Sequence, residues 1–110
     1  MFCTILVTIV LLLGFNHGVI AQSNTAYGTD ALKSNTTGDY NAAFGYEALY
    51  SNTTGIANTA NGSQALYSNT TGSYNTANGL LALYSNKTGT SNTALGHYAN
   101  VAFGNLTNAT

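Results

Sequence analysis

The chain has 110 residues, a formal charge of −1 and only 5 % charged residues. So few cations leave no basic stripe to neutralise nucleic-acid phosphates and no polybasic patch for a membrane surface. A single cysteine, Cys3, removes disulfide frameworks and thiolate metal sites from consideration.

Residues 1–21 differ from all that follows. The stretch Phe2 to Phe15 is almost wholly apolar, and Val19-Ile20-Ala21 supplies small residues before Gln22. This pattern predicts a secretory signal peptide and a mature chain, 22–110, that is secreted or held at the cell surface. No Lys or Arg precedes the apolar run, so only the α-amino group charges its start. The run is shorter than the ~20 residues a transmembrane helix needs. A membrane link is therefore expected only through an anchor missing from this sequence. Cys3 lies too far from the cleavage point to suit a lipid anchor.

From Asn24 onward one phrase recurs every 17 residues, opened by Asn24, Asn41, Asn58, Asn75 and Asn92. Its consensus is N-T-A-x-G-x-x-A-L-x-S-N-T-T-G-x-x. A fixed period of this length predicts a solenoid, each copy forming one coil stacked on its neighbours. The N-T-T-G segments at Asn35, Asn52 and Asn69, and N-K-T-G at Asn86, combine weak helix formers with a breaker. Short strands joined by tight turns fit better, giving an all-β fold with Gly or Asn at positive-φ corners. Two strands per coil are expected: N-T-A-x-G, as in Asn58 to Gly62, and A-L-x-S, as in Ala65 to Ser68. N-T-T-G would then make the longer turn.

Strand side chains alternate faces. The column Leu32, Leu49, Leu66, Leu83 is therefore placed inside, and the column Tyr50, Tyr67, Tyr84, with Lys33 at its start, outside. Two phases remain open for N-T-A-x-G. Either its Ala faces the core, or its second and fourth places do, burying Asn61 and Asn78 in a hydrogen-bonded ladder. One Leu per coil cannot offset the entropy of ordering 17 residues. Stability is expected from further coils, other chains, or both.

The unit N-T-A-x-G-x-x-A-L-Y-S-N-T-T-G is similar to the repeats of exported bacterial tail-fibre-like proteins. These in turn resemble the head repeats of trimeric autotransporter adhesins, whose coil carries an N-S-V-A-I-G-type strand. The likeness runs from Asn24 to Thr110. It implies a left-handed parallel β-roll in which three chains share inner faces, and a homotrimer used as a surface or fibre stalk. Such stalks present or form adhesive surfaces toward a host-surface or glycan receptor, and tail-fibre-like members often end in a self-cleaving chaperone domain. Family coils usually carry Val or Ile where Asn61 and Asn78 stand here. The last unit loses its sequence register after Ala99, where Asn100-Val101-Ala102-Phe103-Gly104 replaces the repeat. No chaperone domain follows, and the chain is expected to be a fragment cut inside a coil.

Two surface columns are candidate binding sites. Tyr50, Tyr67 and Tyr84 could stack on sugars, although stacked tyrosines also stabilise a sheet by cross-strand contact. Thr25, Thr59, Thr76 and Thr93, interrupted by Ala42, form a regular row that could order water to match ice. Here the coil is similar to the N-x-V-x-G coils of some small secreted antifreeze proteins. Thr37, Thr54, Thr71 and Thr88 form a second row beside a turn glycine. The bland reading is that threonine suits strands and turns.

Seven N-x-S/T sequons open at Asn35, Asn52, Asn61, Asn69, Asn86, Asn105 and Asn108. Four of them share one repeat position, so the repeat accounts for them first. No enzyme is expected, because repetition spreads like groups along a surface whereas catalysis converges unlike ones. His97 is the only histidine after residue 21, and Asp30, Asp39 and Glu47 recur in no column. Calcium coils need repeating Asp, which is absent. Neither catalytic residues, cofactor nor metal are assigned. The sequence thus reads as a non-catalytic, exported fibre or adhesin segment, with a small secreted ice-binding solenoid as the alternative.

Overall fold

The computed structural model describes residues 23–101 and 105–110; the expected export segment, residues 1–21, lies outside them. Five three-residue strands form one parallel sheet in chain order: β1 (Thr25–Tyr27), β2 (Ala42–Phe44), β3 (Thr59–Asn61), β4 (Thr76–Asn78) and β5 (Thr93–Leu95). Each strand pairs with the one 17 residues on. Ala60 lies opposite Ala43 and Ala77, for example. The fold is therefore the all-β solenoid of 17-residue coils that the period predicts.

The sheet settles the open phase. Ala43, Ala60 and Ala77 at the strand centres are fully buried, while the second and fourth places point outward. Asn61 and Asn78 accordingly lie on the outer face, and no buried ladder forms there. Glycine at the strand end turns the chain. Gly62 has φ +137°, and a Cβ on it would sit 2.5 Å from the Gly79 carbonyl oxygen in the next coil. That site therefore excludes a side chain on two grounds, backbone conformation and space.

The expected second strand, A-L-x-S, is corrected. Residues Ala65 to Ser68 are turn, as are their equivalents in the neighbouring coils. Overlapping turns run through this stretch: Ala65 N donates to Gly62 O (3.2 Å) and Asn69 N to Leu66 O (3.1 Å). They place Gln64 at φ +55° and Leu66 at φ +53°, left-handed values that no strand contains. Left-handed backbone costs an L-residue roughly 1–2 kcal/mol. Burying a leucine returns about 1.5–3 kcal/mol, and Leu49, Leu66 and Leu83 are completely buried. Gly28, Gly45, Gly62, Gly79 and Gly96 take positive-φ corners as expected, but further corners in each coil fall on non-glycine residues, Leu, Glu, Gln and Tyr among them.

The inward Leu column is as predicted, and Ala48, Ala65 and Ala82 complete the apolar core. Asparagine supplies the rest. Asn41, Asn58, Asn75 and Asn92 open their coils fully or almost fully buried, as are Asn52, Asn69 and Asn86 of the N-T-T-G segments. They form two ladders along the stack. In one, Asn75 N donates to Asn58 Oδ1 (3.0 Å), and Asn58 N donates in turn to Asn41 Oδ1 (2.9 Å). In the other, Asn86 Nδ2 donates to Asn69 Oδ1 and Asn69 Nδ2 to Asn52 Oδ1, both at 2.9 Å.

A glycine carbonyl joins the two ladders within each of the first four coils. Gly72 O accepts from Asn58 Nδ2 and Asn69 Nδ2, each at 2.9 Å. Gly72 has ordinary φ, yet it cannot carry a side chain, because a Cβ would collide with the Asn69 Oδ1 and Gly89 carbonyl oxygens. Among the described residues every buried side-chain nitrogen and oxygen has a hydrogen-bond partner. A polar core of this kind is stable only when fully satisfied.

The described residues of the fifth coil keep the backbone register even though the sequence departs from the repeat. Leu83 N donates to Ala99 O (2.8 Å), Asn108 N to Thr90 O (2.9 Å), and Thr93 N to Ala109 O (2.7 Å). Leu106 takes the place of the turn glycine, and Asn92 Nδ2 donates to its carbonyl at 2.6 Å.

Candidate functional site

The turns after each strand bring the tyrosine column to the surface as a continuous stack. Tyr50 and Tyr67 have ring centroids 5.1 Å apart and planes 10° from parallel; Tyr67 and Tyr84 are 5.1 Å apart and 9° from parallel. Lys33 Nζ lies 5.7 Å from the Tyr50 ring centroid, and Asp30 holds that ammonium in a 3.2 Å ion pair. The hydrogen bond and charge of Asp30 raise the Lys33 pKa. The column is half-buried. Crowding by its neighbours raises the Tyr67 pKa, and the Glu47 carboxylate adds to the effect. Tyr67 has a tyrosine against each ring face. A sugar that stacks needs an open face, and Tyr67 offers none; its contacts add cohesion between coils.

The threonine row sits on the outer face of the sheet. Thr25, Thr59, Thr76 and Thr93 are all exposed and aligned across the strands, with Ala42 between the first two. Parallel strands set such side chains about 4.8 Å apart. The parallel row two residues on is chemically mixed: Tyr27, Phe44, Asn61, Asn78 and Leu95. Tyr27 and Leu95 are 78 % and 77 % exposed, and Phe44, Tyr46 and Leu80 are also open to solvent. The outer face is therefore apolar near both ends and polar in the middle. Thr37, Thr54, Thr71 and Thr88 are exposed as well.

Comparison with protein-family models, with curated proteins and with solved structures finds no match for this chain. Function has to be argued from the geometry alone.

Among the described residues Asp39, Glu47 and His97 do not converge on one point. Asp39 accepts from the backbone N–H groups of Ser23 and Tyr40, and Glu47 accepts from Gln64 Nε2 at 2.7 Å. Tyr46's own side-chain hydrogen bond with Glu47, and the charge of that carboxylate, raise the Tyr46 pKa. His97 is exposed beside Tyr98, with ring centroids 4.3 Å apart. Among the described residues no group of three His, Cys, Asp or Glu could hold a metal ion. The last coil ends in an apolar hollow lined by Ala94, Leu95, Ala99, Val101 and Leu106. Among the described residues no acidic, basic or aromatic side chain lines it.

The asparagine ladders are the feature that sequence reasoning missed. Their signal was present, because asparagine fills the first and twelfth places of the unit without exception up to Asn92. A side chain carrying both amide hydrogens and an acceptor on one short stem can pair with copies of itself above and below. Neither Asp nor Thr can do this.

Proposed function

We propose that this chain is a non-catalytic rod segment of an exported fibre or surface adhesin, assembled as a homotrimer. The observation that carries the reading is the identity of successive coil interfaces. Each coil offers the next the same Asn, Leu and backbone groups in the same register. Such a stack extends a surface at constant cross-section, as a stalk does. Chain association is supported by Tyr46 and Leu80, exposed apolar side chains just past β2 and β4 that a chain alongside would cover. Residues 22–110 should sediment as a trimer, or stay largely unfolded when held dilute. A stable, folded monomer would count heavily against the proposal. If the tyrosine column contacts a glycan receptor, binding on a glycan array should disappear in the Tyr67→Ala and Tyr84→Ala variants.

One observation favours ice binding as a second reading: Thr25, Thr59, Thr76 and Thr93 share one exposed strand row. That reading requires thermal hysteresis or faceted ice growth from the purified chain, lost in Thr59→Val/Thr76→Val. Tyr27, Phe44 and Leu95 in the adjoining row weigh against a flat ice-matching face.

A further inference from the structure

We infer that the fold separates two classes of sequon. Asn61, Asn105 and Asn108 can carry an N-linked glycan, whereas Asn52, Asn69 and Asn86 must stay unmodified for the coils to close. Sequence alone makes the seven equivalent acceptors, since each has a hydroxyl residue two places on.

The chemistry separates them. Transfer from a lipid-diphosphate-linked oligosaccharide forms a bond between asparagine Nδ2 and the anomeric carbon. The bond from that carbon to the diphosphate oxygen breaks, and one Nδ2 proton leaves to a base. A glycosylated Nδ2 therefore keeps a single hydrogen. In Asn69 both hydrogens are committed, one to Asn52 Oδ1 and one to Gly72 O, each at 2.9 Å. Asn52 and Asn86 use theirs in the same way. Asn35 Nδ2 donates to Gly38 O at 2.9 Å, and its Oδ1 accepts from Asn52.

Space forbids the modification as firmly as hydrogen bonding does. Asn52, Asn69 and Asn86 have no exposed surface. The adjoining glycine cannot accept even a methyl group, as a Cβ on Gly72 would collide with Asn69 Oδ1. Asn61 contrasts on each count. It closes β3 on the outer face, is exposed, and belongs to neither ladder. Asn105 and Asn108 are exposed too.

Glycan transfer to a nascent chain precedes coil closure, so N-T-T-G is reachable while unfolded. A glycan placed there traps the chain open, and one placed on Asn61 does not. A secretory pathway containing this transferase would split the product into a folded and a trapped population.

The test is secretion of the full chain from a eukaryotic cell, with glycopeptide mapping of the folded, secreted fraction and of the retained fraction. The folded fraction should carry glycan on Asn61, with Asn105 and Asn108, and none on Asn52, Asn69 or Asn86. The retained fraction should carry it on Asn52, Asn69 or Asn86. A triple variant, Thr54→Ala, Thr71→Ala and Thr88→Ala, removes the hydroxyls of the closed sequons using exposed residues. It should raise the folded yield severalfold and keep the Asn61 glycan. Glycan on Asn52, Asn69 or Asn86 in folded molecules, a bare Asn61 in all of them, or an unchanged yield would each overturn the inference. Where neither chain secretes, side-chain amide exchange in bacterially produced protein decides. The Nδ2 hydrogens of Asn52, Asn69 and Asn86 should exchange at least tenfold more slowly than those of Asn61, and equal rates would refute it.

Discussion

Replacing Asn69 with Ala tests whether the asparagine ladders hold the stack together. Asn69 stands in the central coil, makes three side-chain hydrogen bonds and has no exposed surface. Two of its partners lose out on truncation. Asn52 Oδ1 loses its donor in the next coil, and one Asn86 Nδ2 hydrogen loses its acceptor. Gly72 O is spared, because Asn58 Nδ2 still reaches it at 2.9 Å. Each stranded buried group costs about 1–3 kcal/mol, so Asn69→Ala should destabilise the fold by about 2–6 kcal/mol before any cavity cost. The control is Asn61→Ala, which alters an exposed strand residue outside the ladders and should stay within about 0.5 kcal/mol of the parent. Urea titration followed by far-ultraviolet circular dichroism, at one fixed protein concentration, reads both. A loss below about 1 kcal/mol for Asn69→Ala, or equal losses for the two variants, would refute the ladder reasoning.

Gly62→Ala should cost more than about 2 kcal/mol by the same titration, since it adds a Cβ 2.5 Å from the Gly79 carbonyl oxygen at φ +137°; near-parental stability would mean the coils separate easily. Leu66→Ala should cost about 2–5 kcal/mol through loss of buried volume in the leucine column, and a smaller effect would place stability in the polar ladders alone. Tyr67, whose pKa is raised by its crowded site and by Glu47, holds its proton more tightly folded than unfolded. Folded stability should therefore decline as pH rises past the ordinary tyrosine value of about 10, a slope that Tyr67→Phe should reduce. Parallel denaturation curves at rising pH check this, and an unchanged slope in Tyr67→Phe would exclude the stack as its source.

Much of the fold was legible because repetition is a global signal. Five copies of one phrase define coil length, strand position and register before any contact is known, and the pairing of Ala43, Ala60 and Ala77 follows the period. Inward leucine and outward tyrosine were legible for the same reason, since a residue type repeated at one place must meet one environment. The face of N-T-A-x-G was not legible, because Thr, Ala and Asn all tolerate either side of a short strand. Nor was the turn character of A-L-x-S. Local preference argues against leucine at φ +53°, and only burial of its side chain in the assembled stack makes that conformation favourable.

The sequence by itself determined the solenoid and its 17-residue period. The tertiary structure alone decided which asparagines lie inside. Asn52 and Asn61 both open sequons and both look like surface residues in a polar chain. One is buried and bonded to the coils on either side, while the other faces solvent. The physical reason is that an amide's partners are the same amide one coil away, 17 residues distant in the chain, and they exist only once the coils are stacked.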